Sequence, residues 1–247
     1  MPPRVKICCI ASIAEARMAI AFGADAIGLV GRMPSGPGPI DDALIAEIAS
    51  FVQPPTETFL LTSETDTRAI AHHHSRTCTT TVQIVDALAR GNYDDLRIAL
   101  PGVKLVQVIH VRDDRSVDEA LAAAEHVDHL LLDSGNPDLH VKELGGTGRV
   151  HDWRLSRRIV EQAKVPVYLA GGLRHAPTGR YWMSRQVQRP AQTAPATVRR
   201  GSSRHQCPRR KTHQSTAHLP LRQTHLQRPP AAPLYPPAIA SRDALSA

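Results

Sequence analysis

Two side chains capable of acid–base chemistry lie in or directly after apolar runs that are typical of buried strands. Cys8 lies within the run 5–10, and Asp133 directly follows the run 127–132. A carboxyl group at the end of a buried strand is partly desolvated, which raises its pKa and suits a general acid. A cysteine reacts as a thiolate, which needs a nearby cation or dipole. Each residue also has a structural interpretation: Cys8 as a small buried hydrophobe, and Asp133 as a loop cap.

Two glycine-rich loops follow apolar runs. Gly145-Gly146-Thr147-Gly148 comes after Asp133, and Gly171-Gly172 follows the run 167–170. Backbone N–H groups in such loops can hold an anion, and barrels of alternating strands and helices often bind phosphate after strands seven and eight. The loops are therefore candidate phosphate sites, although any tight turn also favours glycine.

The sequence predicts no metal centre. His72-His73-His74 has the composition of a metal cluster, but it lies at a polar helix end with no acidic partner in sequence, so a solvated helix face is the preferred interpretation. The four cysteines, at positions 8, 9, 78 and 207, form no Cys-x-x-Cys pair and no zinc spacing. Adjacent cysteines in a strand are poor disulfide partners, so a reduced, cytoplasmic setting is expected.

Seven apolar runs alternate with helix-like segments, and these elements must position the candidate residues. Continuous rather than alternating apolar runs predict strands that are buried on both faces, and the strand–helix alternation predicts a parallel sheet. A (β/α)8 barrel is favoured over an open doubly wound sheet, because the repeats approach eight and polar residues recur at the strand ends. Ser12 and Glu15 predict a capping box at the first helix. Strands are predicted at 5–10, 25–31, 58–62, 82–86, 105–111, 129–132 and 167–170.

The chain changes character after residue 173. Residues 174–247 hold 13 of the 30 basic side chains and one of the 23 acidic ones, so this segment carries about +12 and the preceding part about −5. No window in it has helix or strand periodicity, and the expected eighth strand and its helix are missing. The prediction is an incomplete barrel domain at 1–173 and a disordered Arg/Pro-rich tail at 174–247. The tail has three interpretations: a genuine disordered segment, a nucleic-acid-binding arm, or, as the preferred one, out-of-frame translation of a GC-rich gene.

No membrane or secretory segment is expected. The chain contains no run of about 18 apolar residues, and Met1-Pro2-Pro3-Arg4 leads straight into the first strand. The net charge of +7 would suggest a polyanionic partner, but it arises from the tail alone, so no nucleic-acid partner is predicted.

These motifs together resemble phosphoribosylanthranilate isomerase, the barrel enzyme family of tryptophan biosynthesis. They keep the family's order over 5–173, about seven of its eight β/α units. The resemblance implies an Amadori rearrangement of N-(5-phosphoribosyl)anthranilate to 1-(2-carboxyphenylamino)-1-deoxyribulose 5-phosphate. The matching segments are Lys6-Ile7-Cys8-Cys9-Ile10, Gly23-Ala24-Asp25-Ala26-Ile27-Gly28, Val82-Gln83, Leu131-Leu132-Asp133, Gly145-Gly146-Thr147-Gly148 with Asp152-Trp153, and Ala170-Gly171-Gly172-Leu173.

The resemblance also implies roles for particular residues. Cys8 falls on the family's base and Asp133 on its acid, and proton transfer alone carries the reaction, so no metal or redox cofactor is expected. The implied partner is a small phosphosugar substrate, and the oligomeric state stays open. The implied substrate-binding residues are Arg32, Gln83, Gly146, Gly171 and Gly172.

Three departures from the family pattern stand out. Cys9 replaces a glycine, and the loop Pro34-Ser35-Gly36-Pro37-Gly38 lacks the arginine that meets the anthranilate carboxylate in the family, although Arg32 is close. The Asp-x-x-Ser-Gly-Val strand, which supplies half of the family's phosphate site, is missing after Leu173.

Three alternatives to this function stay open. The first is an inactive barrel remnant without the final strand and half of the phosphate site. The second is a Schiff-base aldolase, which needs a lysine at a strand end; Lys6 and Lys142 are not well placed for it. The third is a basic nucleic-acid binder through the tail.

Overall fold

Strands and helices alternate along the chain in the computed structural model, which describes residues 4–145 and 149–171 and the backbone of 182–187. All of these residues belong to the unit Met1–Pro208. The strands are β1 (Val5–Cys8), β2 (Ala26–Val30), β3 (Glu57–Thr62), β4 (Thr81–Ile84), β5 (Lys104–His110), β6 (His129–Asp133), β7 (Val167–Leu169) and β8 (Trp182–Val187). The helices are α1 (Ile13–Ala21), α2 (Asp42–Phe51), α3 (Thr67–Thr77), α4 (Tyr93–Ala99), α5 (Arg115–Ala124) and α6 (Trp153–Gln162).

The first seven strands form a curled parallel sheet in which each strand pairs with the next along the chain. This arrangement confirms the predicted barrel architecture of about seven β/α units. Because the strands are parallel, their C-terminal ends meet at one rim, and the loops that follow them lie side by side.

β8 departs from the sequence-based expectation that no strand follows Gly172. It pairs antiparallel with both β1 and β7 and so closes the ring. A parallel eighth strand would need a long crossover, whereas an antiparallel strand can return over a shorter connection. The free edges of β1 and β7 offer unpaired backbone groups to any extended segment, so β8 does not need its own apolar pattern, and periodicity could not reveal it.

Strands β2 to β6 bury most side chains on both faces, which explains the continuous apolar runs. One face points into the barrel, where Phe59 packs edge-on against Tyr168 at a ring-centroid distance of 5.8 Å. The other face packs against the helices, as Leu29 and Leu60 do beside α2. Successive side chains of a strand therefore enter two different apolar environments, the barrel interior and the layer under the helices, and neither face is exposed to solvent as in a half-buried strand.

The first helix begins at the predicted cap, with one difference. Ser12 Oγ accepts a hydrogen bond from the Glu15 backbone N–H at 3.1 Å. The Glu15 carboxylate reaches back to the Ala11 N–H at 2.7 Å and not to that of Ser12. The exchange still satisfies two N–H groups that the helix itself cannot pair.

The prediction that His72, His73 and His74 form a solvated face is wrong for the last two. His73 and His74 are buried on α3, while His72 is exposed. His73 bridges Thr62 Oγ1 at 2.9 Å and Asp42 Oδ1 at 3.0 Å, so it ties α3 to β3 and α2. Within the described part of the chain, no group of three His, Cys, Asp or Glu side chains could hold a metal ion.

The described helices include none with the length and apolar character needed to cross a membrane.

Candidate active site

Cys8 and Asp133 lie at the C-terminal ends of β1 and β6 and therefore share one rim of the barrel. Cys8 is 8% exposed and Asp133 is partly buried. The strand alternation that places Leu130 and Leu132 against the helices turns Asp133 to the inner face. The structure thus places both predicted catalytic residues at the rim where parallel barrels carry their chemistry.

The Asp133 carboxyl group is set up to hold a proton. Burial raises its pKa, and this effect outweighs those that favour ionisation: the hydrogen bond from the Ser134 N–H to Oδ1 at 2.7 Å and the electrostatic interactions with His110, His151 and Lys6. A carboxyl group that stays protonated above its usual pH range can serve as a general acid.

Two glycines allow the neighbouring loops to approach Asp133. A Cβ at Gly145 would lie 2.9 Å from Asp133 Oδ2, and a Cβ at Gly171 would lie 3.1 Å from Oδ1. Both residues have positive φ, 144° and 72°. The loops after β6 and β7 therefore pack with bare backbone against the carboxyl group, which also contributes to its desolvation.

Cys8 lies next to a cation. Lys6 Nζ is 2.6 Å from Cys8 Sγ, and Lys6 is fully buried, with its ammonium 5.1 Å from the centre of the Phe59 ring. An ammonium at hydrogen-bond distance stabilises the negative charge that a cysteine base must carry. From the sequence, Lys6 was considered only as a Schiff-base lysine and was not assigned a role beside Cys8.

Cys9 has a different environment from Cys8. Burial raises the pKa of its thiol to about 12, helped by the charge of Cys8 and opposed by Lys6. Its backbone φ is 61°, in the left-handed region that favours glycine. Cys9 therefore stays a thiol at neutral pH.

Two histidines that were not among the predicted site residues also lie at this site. His110 is the β5 partner of Asp133 in the sheet register. Its Nε2 lies 2.9 Å from the Val85 carbonyl oxygen, which requires a proton on Nε2, and its Nδ1 has no hydrogen-bond partner in the described part of the chain. The available signal was its position as a polar residue at the end of β5.

His151, in the loop after β6, is the second of these histidines. A Cβ at Gly171 would lie 3.2 Å from His151 Nδ1 and 3.1 Å from Asp133 Oδ1, so both side chains flank one point of the rim. Neither ring nitrogen has a hydrogen-bond partner among residues 4–145 and 149–171, and burial lowers the pKa of the imidazole against the effect of Asp133. No local pattern marks this histidine, because its approach to Gly171 in the loop after β7 places it there.

The predicted substrate-binding residues are only partly brought together. Gln83 is buried on β4, and its Oε1 has no hydrogen-bond partner among the described residues. Arg32 follows β2 directly; its side chain is exposed and makes no hydrogen bond or ion pair with the described residues, while its carbonyl oxygen accepts from Ser63 Oγ at 2.7 Å. Gly171 lies beside Asp133, and Gly146 and Gly172 are outside the described residues.

The loop after β6 crosses the rim and contacts its neighbours. Lys142 Nζ lies 2.5 Å from Asp86 Oδ2 at the end of β4, and the Lys142 carbonyl oxygen accepts from Ser35 Oγ at 2.6 Å. Lys142 is thus engaged in an ion pair that ties the loop after β6 to the segment after β4.

The fold and site define an α/β barrel protein with seven parallel strands and with a cysteine and a carboxylic acid at the rim formed by their C-terminal ends. The family described as N-(5'-phosphoribosyl)anthranilate (PRA) isomerase matches residues 64–180. A relative named N-(5'-phosphoribosyl)anthranilate isomerase 2, from Methanosarcina mazei, is 35% identical over 171 residues, which cover 69% of this chain and 75% of the relative. A Methanosarcina acetivorans isomerase is 32% identical, covering 69% and 76%. This chain belongs to the phosphoribosylanthranilate isomerase family.

Solved structures agree on the fold. The crystal structure of phosphoribosyl anthranilate isomerase from Thermotoga maritima matches with a TM-score of 0.55 and 24% identity, covering 69% of this chain and 77% of that one. The share of this chain that the match covers is similar to the share occupied by the segment 5–173, which carries the motifs.

Proposed function

We propose that this chain isomerises N-(5'-phosphoribosyl)anthranilate to 1-(2-carboxyphenylamino)-1-deoxyribulose 5-phosphate, with Asp133 as general acid and Cys8 as general base. One observation carries the assignment of roles. At one rim, the partly buried Asp133 has a raised pKa that favours the acid form, and Cys8 has an ammonium 2.6 Å from its sulfur. The carboxyl group is thus suited to donate a proton, and the ammonium is placed to stabilise the negative charge of a cysteine base.

The reaction divides into proton transfers that these two groups can carry. Asp133 donates its proton to the furanose ring oxygen, the C1–O bond breaks, and the ring opens to a protonated Schiff base. The Cys8 thiolate then removes the C2 proton, and the electron pair of the C2–H bond forms the C1=C2 double bond of the enolamine. Return of a proton to C1 and loss of the C2 hydroxyl proton give the ketone, and these two transfers can restore Cys8 and Asp133.

Substrate binding is assigned to the loops around this pair. Gly146, Gly171 and Gly172 are proposed to hold the phosphate through backbone N–H groups. Arg32 is proposed to meet the anthranilate carboxylate, since its exposed guanidinium stands at the start of the loop after β2. Gln83 is proposed to contact the sugar, because its Oε1 has no hydrogen-bond partner in the part of the chain that the structure describes.

The test is turnover of N-(5'-phosphoribosyl)anthranilate by the purified full chain. Cys8→Ala and Asp133→Asn are each expected to lower kcat by about 10²–10⁴-fold, the usual contribution of a placed acid or base. Cys9→Ser is the matched control for Cys8→Ala and is expected to keep kcat, because Cys9 remains a thiol. A folded wild-type chain without turnover would support the inactive-remnant alternative, and equal losses in Cys8→Ala and Cys9→Ser would refute the assignment of the base.

A cytoplasmic setting and independence from nucleic acid belong to the same proposal. A cysteine base must stay reduced, which favours a reducing compartment. Addition of duplex DNA is expected to leave turnover unchanged at low salt, where binding by a basic tail would be strongest.

A further inference from the structure

We infer that Lys6 is a positioning residue that holds Cys8 as the thiolate through a direct ammonium–sulfur contact inside the barrel. The inference rests on the proposed function in so far as Cys8 is the base. It concerns a different observable, the charge state of Cys8, which can be measured whether or not the chain turns over substrate.

Strand geometry forces the two side chains together. Lys6 and Cys8 are two residues apart on β1, so both point to the same face of the strand. That face is the barrel interior, where Lys6 Nζ lies 2.6 Å from Cys8 Sγ. The neighbouring position on β2 is Gly28, where a Cβ would lie 2.7 Å from the sulfur, so the absence of a side chain there keeps the room that Cys8 occupies.

The burial of Lys6 requires a partner for its ammonium. Lysine is almost never fully buried unless it is paired, because an isolated charge in the interior is costly. Cys8 Sγ is the only hydrogen-bond partner of Lys6 Nζ among the described residues, and the Phe59 ring adds a weaker cation–π contact. Asp133 interacts with Lys6 electrostatically but makes no ion pair with it. A thiolate at Cys8 supplies the compensating charge.

The titratable groups around this pair come from several elements. Asp133 on β6 interacts electrostatically with His110 on β5, with His151 in the loop after β6 and with Lys6 itself. Cys9 and Glu15 lie on the β1 side, and Cys9 is affected by both Cys8 and Lys6. Of these groups, Lys6 alone hydrogen-bonds Cys8, so its removal acts on Cys8 directly.

The experiment measures thiolate absorption in the ultraviolet as a function of pH. The difference between the wild-type full chain and Cys8→Ser isolates the Cys8 thiolate. We expect this thiolate absorption to be present at neutral pH in the wild-type chain. In Lys6→Met, with Lys6→Met/Cys8→Ser as its reference, we expect the pH at which the thiolate appears to rise by at least about one unit, which means a tenfold lower thiolate fraction at a given pH. We expect kcat of Lys6→Met to fall by a similar factor while KM is nearly unchanged, because the substrate contacts remain.

Two further variants control the test. Lys104→Met removes another strand lysine, whose ammonium pairs with Glu57 at 2.7 Å, and is expected to leave the Cys8 signal in place. Lys6→Arg keeps the positive charge and is expected to retain the thiolate at neutral pH. Methionine has about the length of lysine and no charge, and thermal melting reports whether Lys6→Met folds.

Each result has one meaning. A wild-type difference spectrum without thiolate at neutral pH overturns the inference even if Lys6→Met fails to fold. An unchanged thiolate signal in folded Lys6→Met overturns it as well, and leaves the proposed function standing. A thiolate that depends on Lys6 in a chain without isomerase turnover supports the inference and refutes the proposed function.

Discussion

At the residue scale, Cys9 carries a side chain where the backbone favours none. Its φ of 61° lies in the left-handed region, which costs a residue with a Cβ about 1–2 kcal/mol. The resemblance places a glycine at this position, and the structure gives the physical reason for it. The contact between Cys9 and the loop after β2, where its thiol lies 3.6 Å from the Pro37 carbonyl oxygen, does not require a cysteine.

Cys9→Gly is therefore expected to raise the free energy of unfolding by about 1 kcal/mol, since relief of the backbone strain exceeds the loss of side-chain contacts. Denaturant unfolding measures the change. Ala24→Gly is the control at a position without positive φ, and it is expected to lower stability by about 0.5–1 kcal/mol. Equal destabilisation by both variants would show that Cys9 is not strained.

The pH dependence of turnover follows from the environment of Asp133. Burial raises the pKa of this carboxyl group, and a general acid must begin the cycle protonated. We expect kcat to fall as the pH rises through that raised pKa. Asp133→Glu is expected to keep an alkaline fall in kcat, and Asp133→Asn to lose it together with most of the activity. A wild-type kcat that does not fall at alkaline pH would argue against an acid role.

At the element scale, a buried histidine links three pieces of the barrel wall. His73 on α3 contacts Thr62 at the end of β3 and Asp42 at the start of α2, and Arg76 binds the same carboxylate at 2.6 Å. Burial lowers the pKa of His73, although Asp42 opposes the shift. The contact therefore holds the two helices with a neutral imidazole.

Stability should fall on acidification for this reason. Below about pH 6.5 the unfolded chain binds a proton at His73 before the folded chain does, so the contribution of His73 is present above that pH and is lost as the pH falls. His129 and His151, whose pKa values burial also lowers, act in the same direction. We expect His73→Gln to reduce the loss of unfolding free energy between pH 7.5 and pH 5 by roughly 1 kcal/mol.

The exposed His72 on the same helix provides the control for this measurement. His72→Gln removes an exposed histidine of α3, whose Nδ1 lies 2.6 Å from Arg76 Nη1, and leaves the contacts of His73 with Thr62 and Asp42 in place. If His72→Gln and His73→Gln flatten the dependence equally, the burial of His73 is not its cause.

At the scale of the whole molecule, β8 determines whether the barrel has open edges. Its antiparallel pairing covers both β1 and β7. An uncovered pair of edges would expose backbone groups and invite aggregation.

Native-state hydrogen exchange tests the closure. Amides of β1 and β7 that point toward β8 are expected to exchange as slowly as those inside the sheet at β3 and β4. Fast exchange confined to β1 and β7 would contradict the pairing. The exchange rates of the β3 and β4 amides, measured in the same experiment, are the internal reference.

The domain division at residue 173 and the origin of the basic segment 174–247 stay predictions. The coding DNA around codons 165–180, translated in all three frames, distinguishes the interpretations. A neighbouring frame that encodes a helix and an Asp/Ser/Gly strand would support out-of-frame translation. The absence of such a frame would support a genuine tail.

The sequence by itself determined the seven parallel strands, the helices between them, and the positions of Cys8 in the first strand and of Asp133 at the end of the sixth. These features follow from local patterns: apolar runs, caps such as Ser12 and turn glycines act over a few residues. Motif order added the family, because several short motifs in sequence are specific together.

The tertiary structure alone decided which groups meet at the rim. Asp133 meets His110 through sheet register, and Asp133 and His151 both flank Gly171 in the loop after β7. Burial of Lys6 against Cys8 depends on which face of β1 turns inward, and β8 forms because two sheet edges need partners. Such contacts join residues far apart in the chain, and they depend on barrel closure, which no local pattern of residue types encodes.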